Sequence, residues 1–179
     1  LEVIANHPTF GLSKTDAKQY SQFFHGGYKE QTSPSDALND IVFVKKLDER
    51  NRVLVDCQYK RRTNPNQLTV KVFSLATVIA LSDAIPIFEH MGCRVLNEFL
   101  FECQTIDSNT VWISEFTMIC NNLLDEVSRG YFSDAFLKIW HKQCDDDAFN
   151  QLICLGLSGR LPNAFSGNCN FRKLVTVLA

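Results

Sequence analysis

The chain has 179 residues, 45% hydrophobic and 21% charged, and its 18 Lys and Arg against 20 Asp and Glu leave a formal net charge of -2. That balance offers no basic footprint for nucleic acid or an anionic lipid surface, so neither is expected as a partner. No apolar run approaches the ~20 residues that span a bilayer, and the N-terminus has no basic stretch leading into an apolar core, so a soluble chain without a secretory signal is expected.

Seven cysteines, at 57, 93, 103, 120, 144, 154 and 169, mostly lie in apolar runs where a thiol behaves as a small hydrophobe. A reducing cytoplasm is the simplest compartment for them. The chain opens on Leu1 and stops at Leu178-Ala179 without a polar tail, as a piece of a longer protein would.

In chain order, residues 1–32 are mixed in polarity with scattered aromatics and read as a linker or an arm that packs onto something. Ser33-Pro34-Ser35-Asp36 then supplies a helix start. Ser33 can cap, Pro34 forfeits no hydrogen bond at the first helical position, and Asp36 can reach back as in a capping box. That helix runs to about Asp48, although the β-branched cluster Ile41 to Val44 would also suit a buried strand.

Residues 52–60 alternate, with Val53, Val55, Cys57 and Tyr59 on one face, and predict a half-buried strand. The turn Thr63-Asn64-Pro65-Asn66 leads to a second alternating strand carrying Leu68, Val70 and Val72, so the two form a hairpin. A short helix over 81–92 follows, with Ser82 or Asp83 as cap, Pro86 in the first turn, Gly92 as left-handed stop and Ala84, Phe88 and Met91 as apolar face. Strands over 94–103 and 111–119 flank a turn at 105–109. After Cys120 apolar residues recur at three- and four-residue steps, predicting helices near 121–129, 132–142 and 145–157.

The order α-β-β-α-β-β, with a right-handed crossover through the short helix, predicts an α+β, ferredoxin-like domain: a small antiparallel or mixed sheet with helices on one face, followed by a helical tail. The expected division is an arm over 1–32, the α+β domain over 33–120 and a helical segment over 121–179.

Chemistry is sparse. Neither GxGxxG nor GxxxxGK[ST] occurs, so no nucleotide cradle is expected in this segment. His90 and Cys93 have ligand-like spacing, but no second pair follows to complete a zinc site. Asp145-Asp146-Asp147 point about 100° apart on a helix, which suits a helix N-terminus better than a cation. Lys60-Arg61-Arg62 at a hairpin end reads as a guarded sheet edge. No serine or histidine lies in an arrangement that would activate a nucleophile, so no catalytic residue and no metal ligand is assigned.

Two stretches carry a resemblance. Tyr28-Lys29-Glu30, then Ala37-Leu38-Asn39-Asp40-Ile41, then the run from Leu81-Ser82-Asp83 through Pro86, Glu89, Gly92 and Val95, are similar to the region ahead of the catalytic domain in the large bacterial NAD-specific glutamate dehydrogenases. Phe132-Ser133-Asp134-Ala135-Phe136, Trp140 and Asp145 to Leu152 resemble a helical segment of the same family, in the same order. The family's Trp before Arg160 is replaced by Gly159.

The resemblance implies an ACT-like domain upstream of a dehydrogenase core. The parent chain would oxidise L-glutamate to 2-oxoglutarate with NAD, and this segment, holding no cofactor itself, would serve oligomer assembly or allosteric control. The implied partners are further copies of the chain, the catalytic domain of the same chain, and an amino-acid effector. A free-standing amino-acid-sensing module is the alternative.

Amino-acid-binding ACT domains carry an Asp-x-Pro-Gly-like loop before the helix, whereas Ala76-Thr77-Val78-Ile79-Ala80 stands at that place here. The effector position expected is therefore the turn from Ala76 to Asp83, with Ser82 and Asp83 as binding residues beside helix N–H groups. Self-association is expected through the sheet edge or through a tail whose Phe132, Phe136 and Trp140 call for a partner surface.

Overall fold

The computed structural model describes residues 24, 26–58, 66–105, 108–120 and 126–153. Its elements are α1 (Gly26–Gln31), α2 (Pro34–Lys46), β1 (Val53–Gln58), β2 (Gln67–Leu75), α3 (Leu81–His90), β3 (Cys93–Gln104), β4 (Thr110–Cys120), α4 (Glu126–Trp140) and a short 3-10 helix (Ala148–Ile153). The strands form one four-stranded sheet in the order β1-β2-β4-β3. The turn residues 63–65 and the basic run 60–62, like the tail from 154 onward, lie outside the described residues.

Backbone bonds fix the register of the central pair. Ala76 N donates to Thr110 O at one end and Cys120 N to Asn66 O at the other, so β2 and β4 run antiparallel and bring Lys71 opposite Glu115. Their side chains meet there: Lys71 Nζ lies 3.4 Å from Glu115 Oε2, with only 2% of the lysine side chain exposed. The expected α+β sheet with its helical crossover is thus present. Burial along β2 does not alternate, however, because every residue from Leu68 to Leu75 is buried. Thr69 and Lys71, read as the polar face of a half-buried strand, are covered because β2 lies inside the sheet and is covered on both faces.

By contact density the chain separates into two compact units. The first comprises Leu1–Leu54, Val72–Val78 and Leu100–Ser114. Its core gathers Phe24, Tyr28, Ile41, Val44, Phe73, Leu75, Cys103, Val111 and Ile113. The start of α2 is as the sequence dictates, with Asp36 N donating to Ser33 Oγ at 3.2 Å and Pro34 at the first position. The β-branched cluster is helical because Ile41 and Val44 face this core and Phe43 stacks on Phe73 at 5.0 Å.

Burial gives the Tyr28 and Asp40 motifs a structural role. The Tyr28 hydroxyl donates to Asp40 Oδ2 at 2.5 Å, with Asp40 fully buried, and Phe24 stacks on Tyr28 at 4.1 Å. Burial, reinforced by the Asp40 charge, pushes the Tyr28 pKa far up, and the same causes raise the Cys103 thiol to about 12. Both stay protonated at any physiological pH, so Cys103 is an inert core thiol.

The second unit comprises Val55–Lys71, Ile79–Phe99 and Glu115–Ala179. Its centre is Phe88 of α3, fully buried against Phe136 at 4.7 Å, Phe116 at 5.0 Å and Phe132 at 6.2 Å between ring centroids. Phe132 and Phe136 are fully buried here, which removes the expectation that they need a partner chain. Among the described residues the helices expected near 121–129 and 132–142 run on without a break as α4, across 126–140; residues 121–125 lie outside the described residues. Gly130 in its interior costs about 1 kcal/mol against Ala but does not stop a helix whose aromatic face is anchored on Phe88. The third expected helix is reduced to the 3-10 turn 148–153, where Asn150 N bonds Asp147 O at 3.0 Å; residues 154–157 lie outside the described residues.

Cys93, the first residue of β3, forms a disulfide with Cys120, the last of β4, at a Cα–Cα distance of 4.4 Å. The sequence predicts core thiols in a reducing compartment; the β3–β4 hairpin register instead sets these two side by side and bonded. Cys57 and Cys103 are buried thiols outside any disulfide, and Cys144 is a half-buried one. Among the described residues no helix is long and apolar enough to cross a membrane.

Candidate functional site

The expected effector residues, Ser82 and Asp83, lie in the first turn of α3, but neither is its cap. Ala80 holds that position and offers no side-chain acceptor. The cap lies two or three residues earlier than expected because Asp83 N and Ala84 N both donate to Ala80 O, at 3.0 and 3.1 Å. Ser82 Oγ instead donates to Asp83 Oδ1 at 3.4 Å, and both side chains stay exposed. Pro86 consequently sits inside α3 rather than in its first turn, and having no N–H it cannot bond the Ser82 carbonyl.

These residues form one wall of a groove of about 710 Å³, in which Ser82, Asp83, Pro86 and Ile87 of α3 face Ile139 and Trp140 of α4. Lys142, Cys144, Asp145 and Asp146 complete the lining. The groove thus combines an apolar floor, one ammonium and three carboxylates, a lining that can hold both ends of a zwitterion while its aliphatic part lies on Ile87 and Trp140.

Lys142, Cys144 and Trp140 were not foreseen as site residues. Their placement comes from the way α4 ends. Gln143 N bonds Lys138 O and Lys142 N bonds Ile139 O, each at 2.8 Å, which is a Schellman closure with Lys142 in the left-handed conformation at φ 56°. That position usually holds glycine, and a lysine there carries no turn signature. Beyond the turn, Asp146 Oδ1 lies 2.8 Å from His90 Nδ1 at the end of α3, and Asn150 Nδ2 donates to Asp145 O at 3.2 Å. Asp145 and Asp146 are therefore a groove rim held by His90 and Asn150.

The loop before α3 departs from the ACT pattern in sequence but not wholly in backbone. Ala76 takes φ 65°, a conformation that favours glycine, and Ser74 Oγ donates to Thr77 O at 2.7 Å. His90 and Cys93 do not converge: the histidine pairs with Asp146 and the cysteine with Cys120.

An antiparallel sheet with crossover and flanking helices defines an ACT-like domain, and comparison with known proteins agrees. Residues 54–128 match the family described as glutamate dehydrogenase, ACT3 domain, and residues 15–47 match glutamate dehydrogenase, helical motif 2. Similar proteins include the NAD-specific glutamate dehydrogenases of Halomonas elongata (30% identity over 75% of this chain) and Pseudomonas aeruginosa (30% over 78%). That of Mycobacterium tuberculosis is 26% identical over 79% of the chain. The chain belongs to the family of NAD-specific glutamate dehydrogenases, and it spans 8–9% of the length of these relatives.

Proposed function

We propose that this segment is a non-catalytic regulatory and assembly module of a cytoplasmic NAD-dependent glutamate dehydrogenase, and that an amino-acid effector binds in the α3–α4 groove. In this reading the oxidation of L-glutamate to 2-oxoglutarate and the binding of NAD belong to other parts of the parent chain. The observation that carries the effector role is that Ser82 and Asp83, released from capping α3, share a groove with Lys142. An α-carboxylate would meet Lys142, an α-ammonium would meet Asp83, and the side chain would lie on Ile87 and Trp140. The ACT3 match and the wide share of this chain aligned with named glutamate dehydrogenases support the regulatory setting.

The test is enzymatic. The purified 179-residue chain, given glutamate and NAD, is expected to produce no NADH, while a longer chain containing it does and changes its rate in response to an amino acid other than its substrate. NADH formed by the segment alone, or a longer chain indifferent to all twenty amino acids, would overturn the reading.

A further inference from the structure

Cytoplasmic chains rarely keep a structural disulfide, and those that form one mostly use it as a transient or sensing bond. In the setting proposed above, Cys93–Cys120 therefore calls for a role besides stability.

Its place in the fold supplies one. The disulfide, α3, α4 and the groove all lie in the second unit. Met91 and Gly92 alone separate Cys93 from His90, the last residue of α3, and both are tied back to the helix, Met91 N donating to Ile87 O at 3.0 Å and Gly92 N to Glu89 O at 2.9 Å. Met91 is itself fully buried. Cys93 thus moves with the end of α3. Cys120 ends β4, and the next described element is α4, from Glu126. The bond thereby joins the exit of one groove wall to the strand that leads into the other. The same end of α3 carries His90, whose Nδ1 lies 2.8 Å from Asp146 Oδ1 on the groove rim, so a shift of that end is felt at the rim.

We propose that Cys93–Cys120 is a reversible redox switch on the groove: formed, it pins α3 and α4 at the spacing that binds an effector; reduced, it lets the end of α3 move and the groove open. The proposal rests on the groove being the effector site and names its regulation. A cellular dithiol is the reductant. One of its thiolates attacks a cystine sulfur, the S–S bond breaks, and the departing cysteine takes a proton; the second thiol then displaces the other cysteine from the mixed disulfide and closes the reductant's own disulfide. Two electrons and two protons pass to the chain, leaving thiols at 93 and 120. Both sulfurs are buried, so exchange requires the strand ends to fray, and chain opening costs least at such ends.

Trp140 and the half-buried thiol of Cys144 line the groove and report its state. In the 179-residue chain, Trp112→Phe leaves Trp140 as the sole tryptophan. Dithiothreitol, below the melting temperature, should raise acrylamide quenching of Trp140. After the reductant is removed, iodoacetamide should label Cys144 about fivefold faster or more, the lower end of coupling between two sites. Reoxidation should reverse both changes, and Cys93→Ala/Cys120→Ala should show the open values whatever the redox state. Cys57 and Cys103, buried one in each unit, should stay unlabelled throughout, which shows that the fold persists. Equal quenching and labelling in both redox states would overturn the switch and leave the effector reading standing. So would a disulfide that dithiothreitol reduces only when Cys57 and Cys103 become reactive as well. A groove that follows redox state while no amino acid binds in either state would uphold the switch and overturn the effector reading.

Discussion

The Cys93–Cys120 disulfide offers the most quantitative perturbation of the fold. It closes a loop of sequence separation 27 that contains the β3–β4 hairpin. In the chain-entropy account such a closure removes about 12 cal/mol/K from the unfolded ensemble, or roughly 3.5 kcal/mol at 25 °C. For a domain of this size each kcal/mol moves the melting temperature by about 2–4 °C, so reduction should lower it by roughly 7–14 °C. The bond joins the ends of two strands and both sulfurs are nearly inaccessible, which slows reduction in the native state without changing the equilibrium loss.

The assay is thermal unfolding with and without dithiothreitol, alongside Cys93→Ala/Cys120→Ala. The double variant and the reduced chain should melt together, and dithiothreitol should leave the variant unmoved. Equal melting temperatures for oxidised, reduced and variant chains, or rapid alkylation of Cys93 and Cys120 in the untreated unfolded protein, would refute the reasoning.

Phe88→Ala should destabilise the chain by about 3–5 kcal/mol, since the ring is fully buried among three others; chemical denaturation measures it, and a loss under 1 kcal/mol would contradict the packing described. Lys71→Met should cost about 3–5 kcal/mol by breaking its buried pair with Glu115, and a double-mutant cycle with Glu115→Leu should return a coupling energy above about 0.5 kcal/mol, a value near zero contradicting the pair. Ala76→Gly should stabilise by about 0.5–1 kcal/mol, as relief of the left-handed strain outweighs the added freedom of the unfolded chain. Asp48 accepts from Arg50 N and Asn51 N, which holds its carboxyl below the usual 3.8. Its contribution is thus present above that pH and lost as the pH falls through the lower folded value. The stability gap between the native chain and Asp48→Ala should accordingly shrink below about pH 4 in denaturation titrations.

Local chemistry was legible where it acts locally. Ser33-Pro34-Ser35-Asp36 caps α2 as its residue types demand, and Gly92 ends α3 at φ 82° because only glycine takes that conformation without cost. What the sequence concealed depends on contacts far along the chain. The continuity of α4 through Gly130 rests on Phe88, forty-odd residues earlier, and the burial of Thr69 and Lys71 rests on β2 being an inner strand. The disulfide needed the hairpin register, and the groove needed the left-handed Lys142, a residue that carries no turn signature. Ser82 and Asp83 look like caps in the sequence, yet Ala80 holds that position and the two line the groove instead. The resemblance to glutamate dehydrogenases supplied the family setting, which no periodicity contains.

The central claim is that an amino acid binds beside Ser82 and Asp83, and calorimetric titration of the 179-residue chain with the twenty amino acids tests it most directly. At least one should release saturable heat and, at about 100 times its dissociation constant, add roughly 2.7 kcal/mol to the unfolding free energy. Asp83→Asn and Lys142→Met should each weaken that binding at least tenfold, while Asp134→Asn, on α4 but not lining the groove, should not. Saturable binding that survives both groove substitutions, or no heat from any amino acid with the chain folded, would contradict the account.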